Sequence, residues 1–204
     1  MFDRIALKIT KPFVDAIAKR FAASGITADQ VTLVSFALGM TSAALIVFGH
    51  TSLALIPLIL GRMGDGIDGA LARQTTQTDR GAFMDIALDF VFYASVPLAF
   101  AILNQPENAL AAAVLLAAFI GTGTSFLAYA IIAAKRDETS TDYPSKSFYY
   151  LGGLTEGTET ITLFIAMCLF PSHFVVLAYI YTVLCCLTTI TRIYAGWNAF
   201  KTPL

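Results

Sequence analysis

Charge is scarce in this sequence. Asp, Glu, Lys and Arg make up 13% of its 204 residues, about half the share of an average soluble domain. That leaves too little polar surface to cover a water-soluble globule. Neither sign dominates: 13 Lys and Arg stand against 14 Asp and Glu, for a net charge of −1. The basic field of a nucleic-acid binder is therefore missing, and no nucleic-acid partner is expected. Cysteine is rare too. Cys168, Cys185 and Cys186 fall in apolar stretches without metal-ligand spacing, which excludes a disulfide framework and reads them as buried apolar fillers. What the chain has in abundance is hydrophobic side chains, 57% of all residues, with a mean hydropathy of +0.72. Disorder is excluded along with the soluble globule. The chain reads as a polytopic membrane protein.

A helix crossing ~30 Å of hydrocarbon needs about 20 largely apolar residues. Six segments qualify: 27–48, 53–73, 82–103, 109–133, 148–170 and 174–196. Turn-forming breaks separate them at Phe48-Gly49-His50-Thr51, Asn104-Gln105-Pro106-Glu107-Asn108 and Pro171-Ser172-His173. Residues 1–24 form a helix of another kind. Phe2, Ile5, Ile9, Phe13, Ile17 and Phe21 recur at helical spacing, with Arg4, Lys8, Lys11 and Lys19 mostly elsewhere on the wheel. An apolar stripe beside a basic face suits a helix lying in the membrane interface. Ser24-Gly25 breaks it, and Thr27 is the expected N-cap of the first span. The fold class is thus all-α: one domain over 1–204, with an interfacial helix and six spans within 27–196.

With the N-terminus inside, all 13 Lys and Arg fall on the inner side and the three outer turns hold none. The positive-inside rule therefore orients the chain with both termini in the cytoplasm. Arg62 lies deeper than the other cations. His50 and His173 fall in outer turns, away from inner-face chemistry.

The informative stretch runs Asp65-Gly66-Ile67-Asp68-Gly69-Ala70-Leu71-Ala72-Arg73, then Gly81-Ala82-Phe83-Met84-Asp85-Ile86-Ala87-Leu88-Asp89. Asp65 and Asp68 are spaced i,i+3 near the inner end of the second span. Asp85 and Asp89 are spaced i,i+4 near the inner start of the third, so each pair shares a helix face. Counted from Arg73 and Gly81, Asp65 and Asp89 lie at one level, about 12 Å in at 1.5 Å per residue. Asp68 and Asp85 share a shallower level. Four carboxylates can therefore converge. One ionised Asp at mid-bilayer costs about 2.5–3.5 kcal/mol, and like charges raise the cost, so the cluster calls for protons or divalent cations. Oxygen ligands without His or Cys favour Mg²⁺, Mn²⁺ or Ca²⁺ over Zn²⁺. Gly61, Gly64, Gly66, Gly69 and Ala72 thin one helix for close approach, and Arg73 supplies a fixed charge for a phosphate. Metal-assisted phosphoryl chemistry follows.

This pattern resembles the signature of the CDP-alcohol phosphatidyltransferases, D-x2-D-G-x2-A-R-x7–8-G-x3-D-x3-D. Asp65, Asp68, Gly69, Ala72, Arg73, Gly81, Asp85 and Asp89 match it within 25 residues. The resemblance implies two divalent cations, Mg²⁺ or Mn²⁺, one on Asp65, Asp68 and Asp85 and one on Asp65, Asp85 and Asp89. It implies that Asp89 is the base for the acceptor hydroxyl, and that Gly69, Arg73 and Thr78 contact the CDP part of a CDP-diacylglycerol donor. The family's P-N-x-x-T opening reads Ala28-Asp29-Gln30-Val31-Thr32 here; Thr32 is kept and Asp29 stands where Asn is usual, as a further nucleotide contact. The expected reaction moves a phosphatidyl group to a small alcohol and releases CMP, in the bacterial inner (cytoplasmic) membrane, from a site on the cytoplasmic side. Membrane lipids surround the chain, and the family implies a homodimer.

The acceptor side falls on Lys146, Glu156, Glu159 and Arg192. Glu156 and Glu159 are i,i+3 and can point inward together to bind hydroxyls or an amine, or can make interhelical hydrogen bonds. Arg192, in an otherwise apolar segment, is the best candidate for an acceptor phosphate. A phosphate-bearing acceptor such as glycerol 3-phosphate would make the enzyme a phosphatidylglycerophosphate synthase; the two Glu point instead to an uncharged polyol or an amino alcohol. A cation- or proton-coupled transporter is the rival from another class, since intramembrane acids mark ion pathways. Against it, no half of the chain repeats the other and no charged path reaches the outer side.

Overall fold

The computed structural model describes residues 3–136 and 153–201. Among them the chain is all-helical, with seven α-helices and no strand: α1 (Asp3–Ala23), α2 (Ala28–Val47), α3 (Thr51–Gln74), α4 (Asp79–Leu103), α5 (Gln105–Lys135), α6 (Gly157–Leu169) and α7 (Phe174–Ala199). Local sequence sets several of the boundaries. Thr27 caps α2 as expected: its Oγ1 accepts from Gln30 N at 3.3 Å while its own N–H donates to Gln30 Oε1 at 3.0 Å, a reciprocal capping box. Gly25 and Gly49 take φ of +74° and +82° at the turns before α2 and α3, a region most side chains avoid. Thr78 opens α4 by accepting from Gly81 N at 3.0 Å.

Among the described residues, four helical runs are long and apolar enough to cross a membrane: Ala28–Val47, Asp79–Leu103, Gln105–Lys135 and Pro171–Ala199. Two of the six expected segments differ from these. α3 has the length, 24 residues, but its second half carries Arg62, Asp65, Asp68 and Arg73. α6 begins only at Gly157 and has 13 residues, where the sequence predicts a helix over 148–170. The cause is visible in the turn before it. Gly153 N–H donates to Glu156 Oε1 at 2.9 Å, and Leu154 and Thr155 N–H both donate to Thr188 Oγ1 at 3.2 Å. With their amides taken by side chains, these residues do not join the helical ladder.

The main core extends away from the acidic residues and meets them at Phe92. Phe92, Phe100, Phe164, Phe174, Leu58 and Leu115 are fully buried there, with Phe100 stacked on Phe174 at 4.8 Å and Phe164 edge-on to Phe92 at 6.0 Å. A second cluster joins Ala18 of α1 to Val31, Ile67, Ala70 and Leu71, so α1 packs along α3. Outward faces are apolar: Ile180, Ile190, Ile193 and Trp197 of α7 are all exposed, a costly arrangement in water and a favourable one in lipid. Cys168 and Cys185 are buried, whereas Cys186 is exposed rather than a core filler; all three are free thiols.

Candidate active site

α3 and α4 run antiparallel, and α2 packs against both. Close approach of α2 and α3 depends on small residues: a Cβ on Gly61 would stand 2.9 Å from Ser35 O, and one on Gly64 would collide with Ser35 Oγ. This contact brings Thr32 of α2 to the C-terminal half of α3. Its Oγ1 donates to Asp68 Oδ2 at 2.6 Å, and Asp68 is only 4% exposed. Asp65, Asp68 and Asp85 present carboxylate oxygens within 4.8 Å of one another. Equal depth on antiparallel helices thus becomes actual convergence for three of the four acids.

Asp89 joins the cluster differently. Arg62 Nη1 donates to Asp89 Oδ1 at 2.5 Å and lies 3.6 Å from Asp65 Oδ1. The guanidinium rests over the Phe92 ring, with Cζ 4.4 Å from its centroid. The sequence marks Arg62 as a deep cation without assigning it a part in the site. The available signal was its i−3 position before Asp65, which puts both on one helix face. Beside this contact, Ser35, Asp65, Asp85 and Asp89 help line a small cavity of about 10 Å³, enough for one water-sized occupant.

A larger cleft of about 200 Å³ opens next to it, lined by Asp29, Thr32, Asp68, Gly69, Arg73, Thr78 and Asp85 among others. All four expected donor contacts therefore border one space that also reaches two of the acids. Asp29 is ion-paired with Arg80. Arg73 is exposed, and a Cβ on Gly69 would stand 3.4 Å from its Nη1. Thr78 lines the cleft while capping α4.

The expected acceptor residues gather at another corner. Arg192 is 7% exposed; its Nη1 donates to Thr122 O at 3.1 Å, and its guanidinium faces the Phe126 ring at 5.4 Å. A Cβ on Gly153 would stand 3.1 Å from Arg192 Nη2, so Arg192 borders the turn that Glu156 organises. Glu156 is the N-cap of α6 and Glu159 its N3 residue, and their side chains cap each other's backbone, with Glu156 N–H donating to Glu159 Oε2 at 3.3 Å. Lys146 lies outside the described residues.

The donor set suits a divalent cation. Three carboxylates within one coordination shell's reach, with no thiolate or imidazole among the site residues, make a hard-oxygen site of the kind Mg²⁺ and Mn²⁺ use. An apolar helical bundle with such a site at one end, beside a cation-bearing cleft, is the architecture of a membrane-embedded, metal-using transferase. The sequence profile of the CDP-alcohol phosphatidyltransferase family matches residues 25–194, and the chain belongs to that family of phospholipid-synthesising enzymes. Inner membrane protein YnjF of Escherichia coli (strain K12) is 48% identical over 201 residues, 98% of each chain. Archaetidylinositol phosphate synthase of Pyrococcus horikoshii is 33% identical over 97 residues, 47% of this chain and 51% of that one. Among solved structures, Mycobacterium tuberculosis phosphatidylinositol phosphate synthase (PgsA1) with CDP-DAG bound superposes with a TM-score of 0.74 at 18% identity, over 94% of this chain and 98% of that one. The same enzyme in complex with manganese and citrate gives 0.72 at 18%, over 94% and 93%. At that identity the likeness is one of fold.

Proposed function

We propose that the chain transfers a phosphatidyl group from CDP-diacylglycerol to a small alcohol, releasing CMP, with Asp65, Asp68, Asp85 and Asp89 as metal ligands and Asp89 as base. The observation that carries this is the triad of carboxylates within 4.8 Å, two of which, Asp68 and Asp85, line a cleft that also holds Arg73 and Asp29. When bound, two divalent ions of the Mg²⁺ or Mn²⁺ type would neutralise the diphosphate and stabilise the departing CMP. The chain's own groups do the rest. Arg73 and the first turn of α4 at Thr78 hold the nucleotide end, Gly69 leaves room for it, and Asp29 reads the base or ribose. Asp89 takes the proton of the acceptor hydroxyl as its oxygen attacks the lipid-bearing phosphorus and the bond to the CMP oxygen breaks.

Around this chemistry we place six spans, α3 and α6 joining the four apolar runs, with α1 in the interface. α3 is long enough at about 36 Å, and α1 exposes Lys11, Lys19 and Arg20 together with Phe13. The site and both termini face the cytoplasm on this reading, which the one-sided Lys and Arg distribution supports, and the homodimer is carried over from the family. Arg192 and Glu156, buried at one corner, are the acceptor contacts on this reading, with Glu159 and Lys146 beside them.

The test is an exchange assay. Purified protein given radiolabelled CMP, Mn²⁺ and vesicles of phospholipids with a range of head-group alcohols should return label in CDP-diacylglycerol by reversal of the transfer. Absence of exchange in well-folded protein would refute the transferase reading. A panel of free and phosphorylated alcohols, glycerol 3-phosphate included, with products read by mass spectrometry, then identifies the acceptor.

A further inference from the structure

Given the two-ion site proposed above, we infer that Arg62 is a tethered cation that competes with the second ion for the Asp65–Asp89 edge, so that this chain takes one divalent ion tightly and the other weakly. The grounds are geometric. Asp65, Asp68 and Asp85 bring their oxygens within 4.8 Å of one another. Asp89 is instead engaged by Arg62 Nη1 at 2.5 Å, and Asp65 Oδ1 is 3.6 Å from that same nitrogen. One guanidinium nitrogen thus stands between the two carboxylates that would share the second ion. A guanidinium donor and a divalent cation need the same oxygen lone pairs, and two cations at that spacing repel. They exclude each other.

Arg62 is also built into its position. Its side chain is 12% exposed, and Phe92 supports the guanidinium from below. Nε, by contrast, is buried without a hydrogen-bond partner among the described residues. Charge and ring stacking hold the pose without a complete set of hydrogen bonds, so a stronger cation can displace it. Of the cations in α3, Arg73 borders the cleft while Arg62 has no part in donor or acceptor binding. Neutralising the carboxylate edge gives it one.

The test is metal binding without turnover. Full-length protein in detergent, stripped with EDTA, is titrated with Mn²⁺, the free ion being read by electron paramagnetic resonance. Wild type should fill one site first and a second only at a concentration about tenfold or more higher. Arg62→Gln should tighten the second site by about that factor and leave the first within about threefold, whereas Arg62→Lys, which keeps the charge, should retain a weak second site. Arg62→Met, with an apolar stem against Phe92, replaces the Gln variant if that does not give a monodisperse protein. Two equally tight sites in wild type, or a second site unmoved by loss of the charge, would overturn the proposal. Absence of bound Mn²⁺ in every variant, or a first site indifferent to Asp68→Asn, would instead sink the metal reading, and the role of Arg62 with it.

Discussion

The distance between α2 and α3 controls the site, and one methyl group tests this. Gly61→Ala would put a Cβ 2.9 Å from Ser35 O, a backbone atom that no rotamer change can move. Restoring ordinary contact at 3.4 Å requires the two helices to part by about 0.5 Å or more. Overpacking of this kind typically costs 1–3 kcal/mol, about 1 kcal/mol of which is offset by the better helix propensity of Ala. The displacement acts one turn from Thr32 on α2 and two turns from Asp68 on α3, whose hydrogen bond is 2.6 Å long. Gly66→Ala is the control. Its Cβ would meet only Val14 Cγ2, at 4.0 Å, so the same propensity gain should come without the clash and raise stability by up to about 1 kcal/mol. Thermal unfolding in detergent, followed by tryptophan fluorescence, reads stability; CMP exchange reads the site. Gly61→Ala should lower the midpoint and the exchange rate together, and Gly66→Ala neither. Equal behaviour of the two variants would refute the claim that helix approach sets the carboxylate geometry.

Asp89→Asn should reduce phosphatidyl transfer by about 10²–10⁴, the usual contribution of a positioned base; transfer retained within about threefold would remove Asp89 from the proton-transfer role. Thr32→Val removes the donor to a nearly buried carboxylate and should cost about 1–3 kcal/mol of stability, with Thr32→Ser recovering most of it in the same unfolding assay. Glu156→Gln keeps an oxygen for the Gly153 amide, so a raised acceptor KM with an unchanged unfolding midpoint is expected if Glu156 binds the acceptor; an unchanged KM would leave it a helix cap.

The parts of the molecule legible in sequence were those fixed locally. Thr27 and the Phe48–Thr51 turn mark helix ends through cap and turn chemistry that acts over a few residues. Depth counting along two antiparallel helices joined by a short loop was enough to level Asp65 with Asp89 and Asp68 with Asp85. Three of these acids do meet. What local reading could not supply was the partner across space. The segment before Gly157 is apolar enough to pass for helix, but its amides are claimed by Thr188, more than thirty residues downstream. Glu156 and Glu159 have the spacing of two inward ligands and equally that of a capping box, and only the backbone direction at Gly153–Glu156 separates the two. Arg62 was visible as a deep cation, but its choice of Asp89 over Asp65 depends on where Phe92 supports the ring plane.

The faces of α3 explain why its motif interleaves small residues with acids. Gly61 and Gly64 lie against Ser35 of α2, Ile67, Ala70 and Leu71 pack with Ala18 of α1, and Asp65, Asp68 and Gly69 are left to line the two cavities facing α4. Each set repeats at three or four residues, so the three faces can be served at once only if their members alternate along the chain. The acids are therefore fixed by the packing of residues that never touch a ligand. A longer side chain on the α2 face would move Asp65 and Asp68 together, whereas a change at Asp85 or Asp89 would move α4's contribution alone. This dependence also fits an apolar core that extends away from the acids. With Phe92, Phe100 and Leu58 fully buried there, α3 and α4 are anchored beyond the acids, and Phe92 meets the charged cluster through the Arg62 guanidinium rather than through a carboxylate.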